Sequence, residues 1–121
     1  MKTNLWLLAA MLSSLMLASC GGYGNNPCTI SAAITPATAT ADHTLAPPGN
    51  QAQFSLTSSV KGNCPLIPDQ IGVWSSSDPT NAPISSPGLA TCNGATSGMA
   101  TISNSSTVRG HAFTSATLTC K

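Results

Sequence analysis

Between residues 28 and 121 the chain alternates apolar and polar side chains over short runs, and turn residues separate the runs. In Cys28-Thr29-Ile30-Ser31-Ala32-Ala33-Ile34, the residues Ile30, Ala32 and Ile34 share one face, as in a half-buried strand. Pro36 interrupts the run and keeps the residue before it extended, and 37–41 resumes as a second short piece. A proline there fits an edge strand that changes partner. After the turn Pro47-Pro48-Gly49-Asn50 comes the cleanest alternation, with Ala52, Phe54 and Leu56 set against Gln51, Gln53, Ser55 and Thr57. From 58 to 70 the pattern lapses, and this stretch, holding Cys64, Pro65 and Pro68, reads as a long connection. Further strands are predicted at 71–75, 89–92, 99–103 and 112–120, with a shorter one at 82–85 demoted by Pro83. Asp78-Pro79, Pro87-Gly88 and Asn93-Gly94 mark the turns between them. The predicted core is Phe54, Leu56, Trp74, Ile102 and Leu118, with Trp74 between the sheets.

The first residues follow a different pattern. Lys2 precedes an apolar run over 5–18, which ends in Leu17-Ala18-Ser19-Cys20. A positive start, an apolar stretch and small residues form a secretory signal. A membrane span needs about 20 apolar residues, and this run stops short at Cys20-Gly21-Gly22. The four residues 17–20 resemble the lipobox of bacterial lipoproteins. The resemblance implies a leader over 1–19, cleavage before Cys20 and lipidation of Cys20. It makes a membrane the partner, through the lipid, and the cell envelope the location. Gly21 after the cysteine, rather than Asp, resembles lipoproteins sent to an outer membrane where one exists. Residues 20–27 then form the lipidated cysteine and a glycine- and asparagine-containing tether.

Removal of 1–19 leaves 102 residues, the tether over 20–27 and one small domain over 28–121. Its Lys61, Arg109 and Lys121 balance Asp42, Asp69 and Asp78, so charge gives no reason to expect nucleic acid as partner. There is no Glu, and Ser, Thr, Ala, Gly and Pro dominate, which suits strands joined by turns. Four cysteines remain besides Cys20: Cys28, Cys64, Cys92 and Cys120. An even number in an exported domain reads as two disulfides. A metal site would call for close pairs, and the cysteines stand 28 to 36 residues apart, so no metal or cofactor is expected. Three pairings remain open.

Asp42-His43 and His111 are the only general-base material, and no G-x-S-x-G elbow accompanies them. No enzyme activity and no catalytic residues are expected. Asp69 and Asp78 lack the D-x-D-x-D-G context of a calcium loop, and Asp78 before Pro79 reads as a turn cap. The sequon Asn104-Ser105-Ser106 is set aside because the leader looks bacterial.

Seven short strands with turns between them predict an all-β sandwich. Several segments resemble, in order, a bacterial immunoglobulin-like domain of the intimin/invasin type, group 2. They are Ile34-Thr35-Pro36-Ala37-Thr38-Ala39-Thr40, Leu45-Ala46-Pro47-Pro48-Gly49 before Gln53-Phe54, and Val73-Trp74-Ser75-Ser76-Ser77-Asp78-Pro79. Gly88-Leu89-Ala90-Thr91 and Gly98-Met99-Ala100-Thr101-Ile102 complete the set. The resemblance implies a seven-stranded antiparallel immunoglobulin-like sandwich used as a structural spacer or adhesion module, with a surface protein or glycan as partner. The four cysteines and the long 58–70 connection depart from the usual pattern. In such a sandwich Cys28 and Cys64 fall at one end and Cys92 and Cys120 at the other. The expected pairs are therefore Cys28–Cys64 and Cys92–Cys120. The alternative function is a small carbohydrate-type ligand-binding module, which an exposed aromatic platform would favour.

Overall fold

Short alternating runs broken by proline and glycine cannot sustain a helix. The computed structural model describes residues 26–121, and it holds no helix among them. The leader reading and Cys20 lie outside the described residues. Eleven strand segments are present. They are β1 (Thr29–Thr35), β2 (Thr38–Ala41), β3 (Gln51–Gln53), β4 (Ser55–Lys61), β5 (Trp74–Ser76) and β6 (Ile84–Ser85), followed by β7 (Leu89–Thr91), β8 (Gly98–Asn104), β9 (Thr107–Val108), β10 (His111–Ala112) and β11 (Ala116–Cys120).

β1 pairs antiparallel with β4, from Thr29 opposite Lys61 to Thr35 opposite Ser55. Beyond the bend at Pro36 the chain leaves that partner, and β2 lies parallel to β11, with Thr38 opposite Thr117 and Ala41 opposite Cys120. The partner change expected at Pro36 is present. The parallel ladder departs from a wholly antiparallel sandwich, because the bend moves the chain to another sheet without reversing its direction. One sheet has the order β2-β11-β8-β5, and a second has the order β3-β7-β6. β9 and β10 form a small hairpin.

The two larger sheets share one core. Ile34, Phe54, Ala90, Ile102 and Leu118 meet in it, and alanines at 41, 82, 100 and 116 fill the narrower places. The fold is all-β and sandwich-like. Phe54, Ile102 and Leu118 are fully buried. Trp74, on edge strand β5, is only half-buried and packs against the core rather than lying sealed between the sheets. Its ring lies close to Gly88, whose φ is 104°, and a Cβ there would stand 2.9 Å from Trp74 Cζ2. Glycine alone suits both that φ and that approach.

Leu56 is a correction: it is exposed, not core. The alternating run changes partner at Phe54, whose N–H donates to the Gly88 carbonyl at 2.8 Å. Beyond that point β4 pairs with β1 alone, and all seven of its residues are exposed. β4 also continues to Lys61, where the sequence predicted a connection from Ser58. The predicted strand at 71–75 starts only at Trp74.

Cys28 is bonded to Cys64 and Cys92 to Cys120, with Cα atoms 4.7 and 5.7 Å apart. This is the expected pairing. β1 begins at the first bond and carries Ile34 to the Thr114 carbonyl, and β11 then runs on to the second bond. The two bonds therefore lie at opposite ends of the domain.

Candidate functional site

The titratable groups are scattered between those two ends. At the Cys120 end, His43 Nδ1 lies 2.9 Å from the Lys121 carbonyl, so its ring does not engage Asp42. Asp42 Oδ1 accepts the Thr44 hydroxyl at 2.6 Å and the Thr44 N–H at 2.9 Å. Those two hydrogen bonds, the hydroxyl first, hold its carboxyl below the usual range. Asp78 accepts the Asn81 side-chain amide at 2.9 Å and the Asn81 N–H at 3.2 Å, and its carboxyl is lowered for the same reason. Asp78 thus closes a turn. Asp69 belongs to the other end and accepts the Arg109 N–H at 2.8 Å, so the two aspartates weighed for calcium do not share a site. His111 is exposed on β10. Among the described residues, no three His, Cys, Asp or Glu side chains gather as a metal site. Asn104 of the sequon is buried, and its Oδ1 accepts the Ser106 N–H at 2.8 Å.

Three exposed cross-strand pairs satisfy their own hydroxyls. Ser31 and Ser59 lie 2.9 Å apart, Thr35 and Thr57 2.8 Å, and Ser75 and Ser103 2.7 Å. Such pairs add modestly to sheet stability and leave hydroxyl-paired faces on the β1–β4 and β5–β8 ladders.

The concentrated surface feature is the segment 64–73, a strap that crosses from Cys64 to Trp74. Leu66 is 87% exposed, Ile67 48%, Ile71 100% and Val73 72%. Fixed backbone contacts hold these side chains outward. Gln70 and Thr107 exchange backbone hydrogen bonds at 3.0 Å. Gly72 N–H donates to Ser106 Oγ at 2.8 Å and Val73 N–H to Ser105 Oγ at 3.0 Å. Those hydroxyls take the place of ladder partners, which is why the strand starts only at Trp74. Arg109 and Gly110, with φ of 49° and 79°, form the two-residue turn between β9 and β10. Positive φ at both central positions suits the twist of a hairpin. Arg109 then donates through Nη1 to the Pro65 carbonyl at 3.2 Å. Leu66, Ile67, Pro68, Asp69 and Arg109 line a shallow groove of about 310 Å³.

From sequence, residues 64–70 of this strap read as a connection and 71–73 as the start of a strand. Its signal was the pair Leu66-Ile67 bracketed by Pro65 and Pro68, in a chain where five of the eleven buried core residues among those described are alanine. The strap begins at the Cys28–Cys64 bond, beside the start of the described chain, where Asn63 N–H donates to the Asn26 carbonyl at 3.1 Å. No family model and no curated protein matched this chain.

Proposed function

We propose that this chain is an exported, lipid-anchored envelope protein whose single domain is an immunoglobulin-like structural or adhesive module. The observation that carries this reading is the pair of disulfides closing both ends of a domain that starts eight residues after Cys20. Such bonds persist in oxidising compartments, and they suit a small chain with few large core residues. Strand order supports the immunoglobulin-like part. β1 with β4, continued by β3-β7-β6, matches the four-stranded layer of that fold, and β11-β8-β5 matches the three-stranded layer. The structural role is supported by the hydroxyl-paired faces and by the packing of Trp74 against the core. A carbohydrate module would want that ring open as a stacking platform.

Expression of the full chain in a bacterial host tests the anchor. The wild type is expected in the membrane fraction with the added mass of at least two acyl chains, since one chain binds only marginally. Cys20→Ser should lose that mass. A Cys20→Ser variant with unchanged mass and unchanged membrane association would overturn the reading.

A further inference from the structure

We propose that the strap is a membrane-contacting foot. Leu66, Ile67 and Ile71 enter the interfacial region of the phospholipid bilayer that holds the lipid on Cys20, while Lys61 and Arg109 face its headgroups. This placement rests on the lipid anchor at Cys20 proposed above.

Three observations converge on it. Asn26 lies six residues after Cys20, so the covalent reach between them is at most about 20 Å. Asn26 is hydrogen-bonded to Asn63, three residues before Leu66. The anchor therefore keeps this end of the domain near the bilayer, while β1 and β2 carry the chain toward the other end. The second observation is charge. Lys61 and Arg109 stand at the near end with Asp69, and Asp42 and Asp78 stand at the far end with Lys121. A domain of zero net charge is thus positive toward the anchor and negative away from it, which suits anionic headgroups. The third is the strap's backbone. The N–H groups of Gln70, Gly72 and Val73 already have partners inside the domain, so strand addition by a peptide finds them occupied. The most exposed side chains left there are the apolar ones of Leu66 and Ile71, and a bilayer interface accepts those without matching polar groups. Val73 sets the depth. It lies opposite Ser105, four residues back from Arg109 and hence about 13 Å higher along the extended chain, beyond the roughly 5–10 Å that an interfacial segment enters.

Leu66→Trp, Ile71→Trp and Val73→Trp in the full chain test this depth profile, because each position is exposed and a larger ring displaces nothing. Mass spectrometry first establishes acylation of each purified protein. Each is then placed in phosphatidylethanolamine and phosphatidylglycerol vesicles, with ordinary or acyl-brominated lipid, and the emission of the parent protein is subtracted. The probes at 66 and 71 should shift to the blue and lose most of their added emission in brominated lipid. The probe at 73 should give equal emission in both. Acylated protein whose probes at 66 and 71 stay open to aqueous iodide would overturn the foot and leave the anchor standing. Unacylated protein would remove the anchor and the foot together, and the mass distinguishes that case before any vesicle is made. Probes that stay wet in vesicles but are shielded in native envelope membranes would assign the strap to a protein partner and overturn the foot.

Discussion

Phe54 and Leu56 sit two positions apart on one face of the same alternating run, yet one is sealed and the other exposed. Alternation specifies a face; it does not specify what lies opposite that face. Phe54→Ala should cost about 3–5 kcal/mol in denaturant unfolding, whereas Leu56→Ala should stay within about 0.5–1 kcal/mol. Near-equal losses would mean that the β1–β4 ribbon is packed on both sides. Asp42 and Asp78 carry the pH dependence. Both carboxyls are depressed in the folded state by the hydrogen bonds they accept from Thr44 and Asn81. A depressed carboxyl adds stability above its unfolded value, and that stability is lost as pH falls through the folded value. The unfolding midpoint should therefore hold from neutrality to about pH 4 and fall below it. Asp78→Asn should make that fall shallower, as followed by circular dichroism. A steeper fall in the variant would contradict the turn cap.

At the scale of elements, the pieces legible in the sequence were those whose signal is local. Pro36 announced a change of partner, and the turns at Pro87-Gly88 and Asn93-Gly94 separate the strands that flank them. The pieces that were hidden depend on distant residues. β4 beyond Ser58 is polar on both faces, so nothing in its own residues marks it as a strand; β1 supplies the partner. Residues 71–73 looked like strand, but hydroxyls more than thirty positions away hold the N–H groups of Gly72 and Val73. The strap showed in the sequence only as the Leu66-Ile67 pair between prolines, because its order comes from Ser105, Ser106 and the Arg109 hairpin. Asp69→Ala should accordingly loosen the strap alone. Amide exchange at Gln70, Gly72 and Val73 should rise, and exchange at Phe54 and Leu118 should stay slow. The loss in global stability should be about 1 kcal/mol. Uniform acceleration across the core would instead make the strap part of the main cooperative unit.

For the molecule as a whole, the two disulfides sit in unlike surroundings. Cys92 and Cys120 are buried, whereas Cys28 is exposed and Cys64 half-buried. Their loops of 36 and 28 residues make each worth about 3.5–4 kcal/mol by chain entropy. Alanine at both Cys92 and Cys120 should cost more than alanine at both Cys28 and Cys64, since core contacts are lost as well, and a mild reductant should open Cys28–Cys64 first. Mass mapping of alkylated thiols over time reads the order. The pairing became legible only once strand order was assumed, because spacing alone leaves three options open. The parallel placement of β2 beside β11 has a further consequence, for biogenesis. β11 fills the middle of the four-stranded sheet, and its residues are the latest of the described strands to be synthesised. Until it arrives, β2 and β8 have no partner along their inner edges, and Leu118 is missing from the core. A nascent chain therefore cannot close this sheet until residues 116–120 emerge. A chain stopped before Ala116 should remain protease-sensitive even after its remaining cysteines oxidise.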